Sequence, residues 1–277
     1  AGEETAVGGR TSLSTVDYVN EILASGLPGI RRQHPDARPY LLDGYIDRIV
    51  DRDIADAGGV VRNPSALRNL LAAYAAATST TAAESVILRA ATPGEPGSLS
   101  KPTHLAYREL LRRIWVLDPI PAWEPRFSHL KRLAKAPKHH LVDPALAARL
   151  VGTTAGSLIR GDGEPDFPRD GTFLGALFES LAAQTVRVLA GHATVHHLRT
   201  SDGTHEIDLI VERADARVLA IAVKLSAGVR PADVVHLNWL GDQIPHRVID
   251  KLLINTGDRA FRRPDGVTVV PLALLGP

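Results

Sequence analysis

The sequence contains no cysteine, which removes disulfides, thiolate metal sites and cysteine nucleophiles together and leaves oxygen or imidazole to hold any metal. A hard ion such as Mg2+ suits that chemistry. Methionine is absent too, including an initiator, so the chain is expected to be processed before Ala1 or to be an internal fragment. No run approaches the roughly 20 apolar residues that a membrane span needs, and the N-terminus lacks the basic and apolar order of a secretory signal. A cytoplasmic protein is the expectation. Acid is missing locally: none lies between Glu124 and Asp143, where Arg126, Lys131, Arg132, Lys135 and Lys138 gather with His129, His139 and His140. The net charge of +1 is too small to argue for nucleic acid by itself, so this uneven distribution carries the question.

What is present fits a folded chain. Its 277 residues allow more than one domain, and 44% hydrophobic with 23% charged residues is ordinary for a globular protein. After a loose lead-in with Gly8-Gly9, the spacing of Val16, Val19, Ile22 and Leu23 predicts a helix over 13–23, stopped by Ser25-Gly26-Leu27-Pro28-Gly29. Tyr40 to Ala55 reads as a second helix, and Asn63-Pro64 caps and opens a third through Leu67, Leu70, Leu71 and Tyr74. Thr80 to Ala91 gives a short helix, followed by a Gly/Pro loop. Ser100 then caps a helix to about Ile114, on which Lys101, His104, Arg108 and Arg112 fall along one stripe.

Helix, turn, basic helix and the extended segment Trp115 to Trp123 follow the order of a winged helix, whose second helix enters the DNA major groove. The stripe is equally a solvated face on an ordinary helix. The nine-residue connection from Thr92 to Ser100 exceeds the usual helix-turn-helix turn, which favours backbone contact over base reading. DNA contact through Lys101, Arg108 and Arg112 with Lys131, Arg132 and Lys135 is therefore expected to be electrostatic.

Thr153 to Gly171 reads as a linker, after which the pattern changes to α/β. A helix through Leu174, Leu177, Phe178 and Leu181 leads to strands at 194–200 and 206–211, joined across Ser201-Asp202-Gly203. A strand over 218–225, a helix opened by Pro231, and strands over 247–254 and 267–272 complete the order. Alternation puts Glu206 and Asp208 on one face of their strand, and Ala222 and Lys224 on one face of the next. An Asp and a Lys within apolar strands are costly unless paired, hydrated or metal-bound. A structural Asp208–Lys224 ion pair is the plain account, and catalysis the other. His196-His197 point to opposite faces and cannot share a metal, while His139-His140 read as solvated.

Phe178-Glu179, Glu206-Ile207-Asp208 and Ala222-Val223-Lys224, in that order, resemble the PD-(D/E)XK nuclease superfamily. They resemble more closely the C-terminal domain of unknown function that follows an AAA-type ATPase module in many bacterial and archaeal proteins. Gly26-Leu27-Pro28, the helix from Tyr45 to Asp53, Lys135-Ala136-Pro137-Lys138, Val142-Asp143 and Thr256-Gly257-Asp258-Arg259 extend the resemblance over most of the chain.

The resemblance implies an α+β chain with lid-like helices over 1–60, a winged-helix-like domain over 61–152 and a nuclease-like domain with a mixed sheet over 171–277. It implies Glu179 and Asp208 as Mg2+ ligands, Lys224 as the residue that orients and deprotonates water, and an acid at position 222. That position is Ala222. Glu206 lies about 7 Å along the strand from Asp208 and cannot simply substitute, so little or no cleavage is expected. An upstream ATPase module is implied as a partner, but Gly8-Gly9-Arg10-Thr11-Ser12 lacks the spacing and lysine of a phosphate loop. This chain is not expected to bind ATP.

Overall fold

The computed structural model describes residues 7–92, 100–124, 133, 135–161 and 170–276, with the backbone alone at Asp170 and Gly171. The Gly/Pro loop after Thr92, the cations Arg126, Lys131 and Arg132 with His129, and most of the Gly/Asp-rich linker lie outside the described residues. The chain forms a mixed α+β protein of two compact units. A sheet unit comprises 1–18, 120–137 and 181–277, and a helical unit comprises 19–119 and 138–180. No helix among the described residues is long and apolar enough to cross a membrane.

In the helical unit, α1 (Thr15–Leu23, entering from the sheet unit) ends at Ser25, whose φ of 67° breaks the helix. Next come α2 (Pro28–Arg31), a 3-10 turn (Pro35–Ala37) and α3 (Arg38–Arg48). The helix expected over 40–55 is interrupted by a π turn (Ile49–Asp53) before α4 (Ile54–Asp56). The apolar spacing explains it: Ile46, Ile49, Val50 and Ile54 are all buried, and the wider turn lets adjacent Ile49 and Val50 both face inward.

Helix α5 (Pro64–Ala76) starts where Asn63 Oδ1 accepts from Ala66 N at 3.0 Å, and it buries Leu67, Leu70, Leu71 and Tyr74. Helices α6 (Glu84–Ala90) and α7 (Lys101–Arg113) follow, with Ser100 Oγ accepting from Thr103 N at 3.3 Å. Short antiparallel bridges join Thr80 to His139 and Leu117 to Leu141. Asp143 then caps α8 (Pro144–Val151), its Oδ1 accepting from Ala145 N at 2.8 Å. Its Oδ2 takes the Ser25 hydroxyl and Gly26 N at 2.9 Å, so two segments far apart in sequence meet on one buried carboxylate. Helix α9 (Ala155–Arg160) and the first part of α10 (Asp170–Leu189) complete this unit.

The sheet unit holds β1 (Thr194–Arg199), β2 (Glu206–Glu212), β3 (Val218–Val223), α11 (Val235–Gln243), β4 (Val248–Asn255), β5 (Phe261–Arg262) and β6 (Thr268–Pro271). The sheet order is β1-β2-β3-β4-β6-β5. β1, β2 and β3 pair antiparallel, β3–β4 and β4–β6 parallel, and β5 antiparallel to β6. The parallel β3–β4 pair requires a crossover, which a 3-10 turn (Pro231–Val234) and α11 supply. The Ser201-Asp202-Gly203 turn is tied by the Asp202 carboxylate, which accepts from Thr200 Oγ1 at 2.6 Å and Thr204 N at 3.1 Å.

Two expectations are corrected here. The lead-in is not loose at Gly9 to Thr11: Ala260 N donates to Gly9 O and Thr11 N to Asp258 O. The extended segment before Trp123 does not stay in one unit, because residues 120–137 belong to the sheet unit. There Trp123 N donates to His197 O at 2.7 Å.

Candidate functional site

The site grows from the place where two strands part. Leu209↔Ile221 and Ile210↔Ala220 set the β2–β3 register, which brings Asp208 opposite Ala222 one residue further on. The β2–β3 ladder ends at Leu209 and Ile221, while β3 stays with β4, Lys224 N donating to Ile254 O at 2.9 Å. The next N–H, on Val223, is taken instead by Asp208 Oδ2 at 2.8 Å. The half-buried carboxylate thus satisfies a backbone donor that the diverging ladder leaves open.

Ala222 is 8% exposed and packs with Val234, Leu237 and Leu240 of the crossover and with Leu253 of β4. Lys224 follows the end of β3, exposed to solvent, and makes no ion pair among the described residues. The structural Asp208–Lys224 pair offered by the sequence is therefore not formed. Its charge still reaches Asp233 and His236. At Asp233 burial raises the carboxyl, but the hydrogen bonds and charge of Arg230, with Lys224 adding, hold it below its ordinary value. Burial lowers the His236 imidazole, with His205 and Lys224 acting the same way against Asp208 and Glu206.

His205 and His236 are residues that sequence reasoning left without a role. Their Nδ1 atoms are 3.2 Å apart, so one ring carries the shared proton, and His205 stacks on Trp239 at 4.0 Å with 6° between planes. The step of three from His236 to Trp239 on one helix was the signal available. Glu206 lies 3.7 Å from Arg199 across the β1–β2 pair.

Glu179 belongs to the helical unit, where Oε1 accepts from Lys138 Nζ at 2.9 Å. Lys138 is 1% exposed rather than part of a free basic segment. His139 and His140 are buried, not solvated, and His139 Nε2 lies 2.8 Å from Ala82 O. His197 is buried, with Nε2 2.9 Å from Ala136 O, while burial lowers His196.

The basic stripe of α7 is also reshaped. His104 is 1% exposed and bonds Tyr74 Oη at 3.0 Å, and half-buried Arg108 Nη1 meets Glu84 Oε1 at 3.1 Å. Lys101, Arg112 and Arg113 are exposed. Lys135 is exposed in the sheet unit, 3.9 Å from Glu124. Lys131 and Arg132 lie outside the described residues.

Residues 174–275 match the model of a domain of unknown function, DUF4143, a domain often found in AAA-ATPase-associated proteins. A comparison with curated proteins finds no match. Residues 15–157 match the model of a second domain of unknown function, DUF8612, over more than half of the chain, and the chain belongs to that family.

Proposed function

We propose that this chain is a DNA-interaction module of an AAA-type ATPase family protein, in which a winged-helix-like element contacts the phosphate backbone and a PD-(D/E)XK nuclease-like sheet has lost the acid needed for cleavage. The observation that carries this is Ala222 opposite Asp208. The order helix, hairpin, strand, crossover helix, strand around that pair supports the nuclease-like fold. The path α5, Thr80, α6, α7, Leu117, Leu141, with bridges from Thr80 and from Leu117 to the 139–141 segment, supports the winged-helix-like part.

The donor set does not fit Mg2+. Asp208 Oδ2 is committed to Val223 N, position 222 offers a methyl group, and Glu179 is paired with Lys138. No cluster of three His, Asp or Glu suited to a metal occurs among the described residues. A hard divalent ion needs several oxygen ligands, so this chain's role is binding rather than hydrolysis.

DNA contact falls to Lys101, Arg112 and Lys135, with Lys131 and Arg132 in the same stretch of sequence as Lys135; Arg108 serves Glu84 instead. Anisotropy titrations with unrelated duplexes test this: Lys101→Ala with Arg112→Ala weakens all of them alike and lowers the salt slope by about one per lost contact. Incubation of supercoiled DNA with the chain and Mg2+ or Mn2+ leaves it intact, and cleavage by the unaltered chain would end the proposal. A second reading, a protein-interaction module of the ATPase, draws on the neutralised stripe of α7. Absence of any salt-dependent DNA binding selects it.

A further inference from the structure

Helix α7 ends in a Schellman motif: Val116 N donates to Leu111 O at 2.9 Å and Trp115 N to Arg112 O at 3.1 Å, while Leu111 and Val116 are buried together. The position between them takes a left-handed backbone and is normally glycine. Here it is Trp115, with φ of 60°. A tryptophan at positive φ is a conformational outlier, and this one does not recover the cost by packing, since it is 71% exposed. Two unfavourable choices at one residue, strain and exposure of a large aromatic surface, point to a use outside the folded core.

The surroundings name that use. Arg112 and Arg113 immediately precede the ring's turn, both are exposed, and neither makes an ion pair among the described residues. Arginines suit the C-terminal end of a helix dipole, which explains them without explaining the tryptophan. A flat aromatic face beside two free guanidinium groups matches unpaired nucleic acid, whose bases stack on aromatic rings while cations follow the phosphates.

We propose that Trp115 is a base-stacking platform and that Arg112 and Arg113 hold the adjoining phosphates of a single-stranded or locally opened nucleic acid. This rests on the DNA-interaction reading above and adds the class of nucleic acid and the residue that recognises it.

The test uses the intact chain with labelled oligothymidylate and a duplex of unrelated sequence. Trp115→Gly is the informative variant, because glycine is favoured at that backbone position and the fold should hold. It is expected to weaken oligothymidylate binding about tenfold and duplex binding by less than about twofold, while Trp115→Phe retains most of the single-strand affinity. Fluorescence gives a second readout: Trp123 is 1% exposed and Trp239 is stacked on His205, so quenching by oligothymidylate should be largely lost in Trp115→Gly. If the unaltered chain binds neither nucleic acid, the DNA reading fails and takes this proposal with it. If it binds both and Trp115→Gly changes nothing, or lowers both equally, the platform is overturned while the DNA reading stands.

Discussion

Lys138 Nζ lies 2.9 Å from Glu179 Oε1, and the lysine is 1% exposed. The sequence places one of these residues in a cationic surface segment and the other, by resemblance, at a metal. In the structure the two meet as a buried ion pair. Breaking a buried pair leaves a charge without its partner, so Glu179→Ala should lower unfolding free energy by about 3 kcal/mol, whereas Glu179→Leu with Lys138→Met should be close to neutral. Urea denaturation decides it: a loss below about 0.5 kcal/mol for Glu179→Ala would show that the pair contributes little.

Acid should weaken the helical unit in two steps. Burial holds the His104 imidazole below its ordinary 6.5. Burial raises the Glu84 carboxyl, but hydrogen bonds from Tyr74 and Arg108 outweigh this and leave it below 4.5. Both folded values are depressed, so both contributions are present above the unfolded value and are lost as pH falls through the folded one. Thermal midpoints should therefore begin to fall below about pH 6.5 and fall further below about pH 4.5. Glu84→Gln should be less stable than the parent at pH 7, and the gap should close in acid; a gap independent of pH would refute the assignment.

Asp143 accepts from Ser25, Gly26 and Ala145 with its carboxylate buried. Asp143→Ala removes a helix cap and leaves buried donors unsatisfied, and about 3 kcal/mol of stability should be lost. Ser25→Ala should cost less, about 1 kcal/mol, since the two backbone donors keep their acceptor. Equal losses from both substitutions would mean that the hydroxyl, not the cap, matters.

Trp115→Gly should stabilise the chain. Relief of the left-handed backbone is worth about 1 kcal/mol, which for a chain of this size raises the thermal midpoint by about 2 °C. Scanning calorimetry measures it, and a lower midpoint would mean that the indole packs on something the exposure does not reveal.

Strands and helices with strong periodicity were legible from sequence, as were the caps at Asn63 and Ser100. Local chemistry sets these. The π turn at Ile49 to Asp53 was not, because the period of three to four holds on either side of it. The two-residue β5 carries too little pattern to detect. Site residues were legible by type and not by partner. Glu84 spoils the cationic stripe from a different helix, Lys138 meets Glu179 across 41 residues, and His205 meets His236 across 31. Spacing along one element says nothing of such encounters.

The excursion of residues 120–137 into the sheet unit also bears on how the chain can be made and cut. Trp123 is 1% exposed in the core with Leu198, Ile207, Leu237 and Leu253, and its indole N–H donates to Glu212 Oε2 at 3.0 Å. During synthesis that tryptophan leaves the ribosome well before β1, so it must wait, uncovered, for strands not yet made. A fragment trimmed to the DUF4143 match at 174–275 would open with this gap in its core, although Trp123 lies inside the DUF8612 match at 15–157. The bounds of the two family matches are therefore not the bounds of the units: Trp123, inside the first match, completes the core of the sheet unit that holds most of the second, and a cut between the matches removes it.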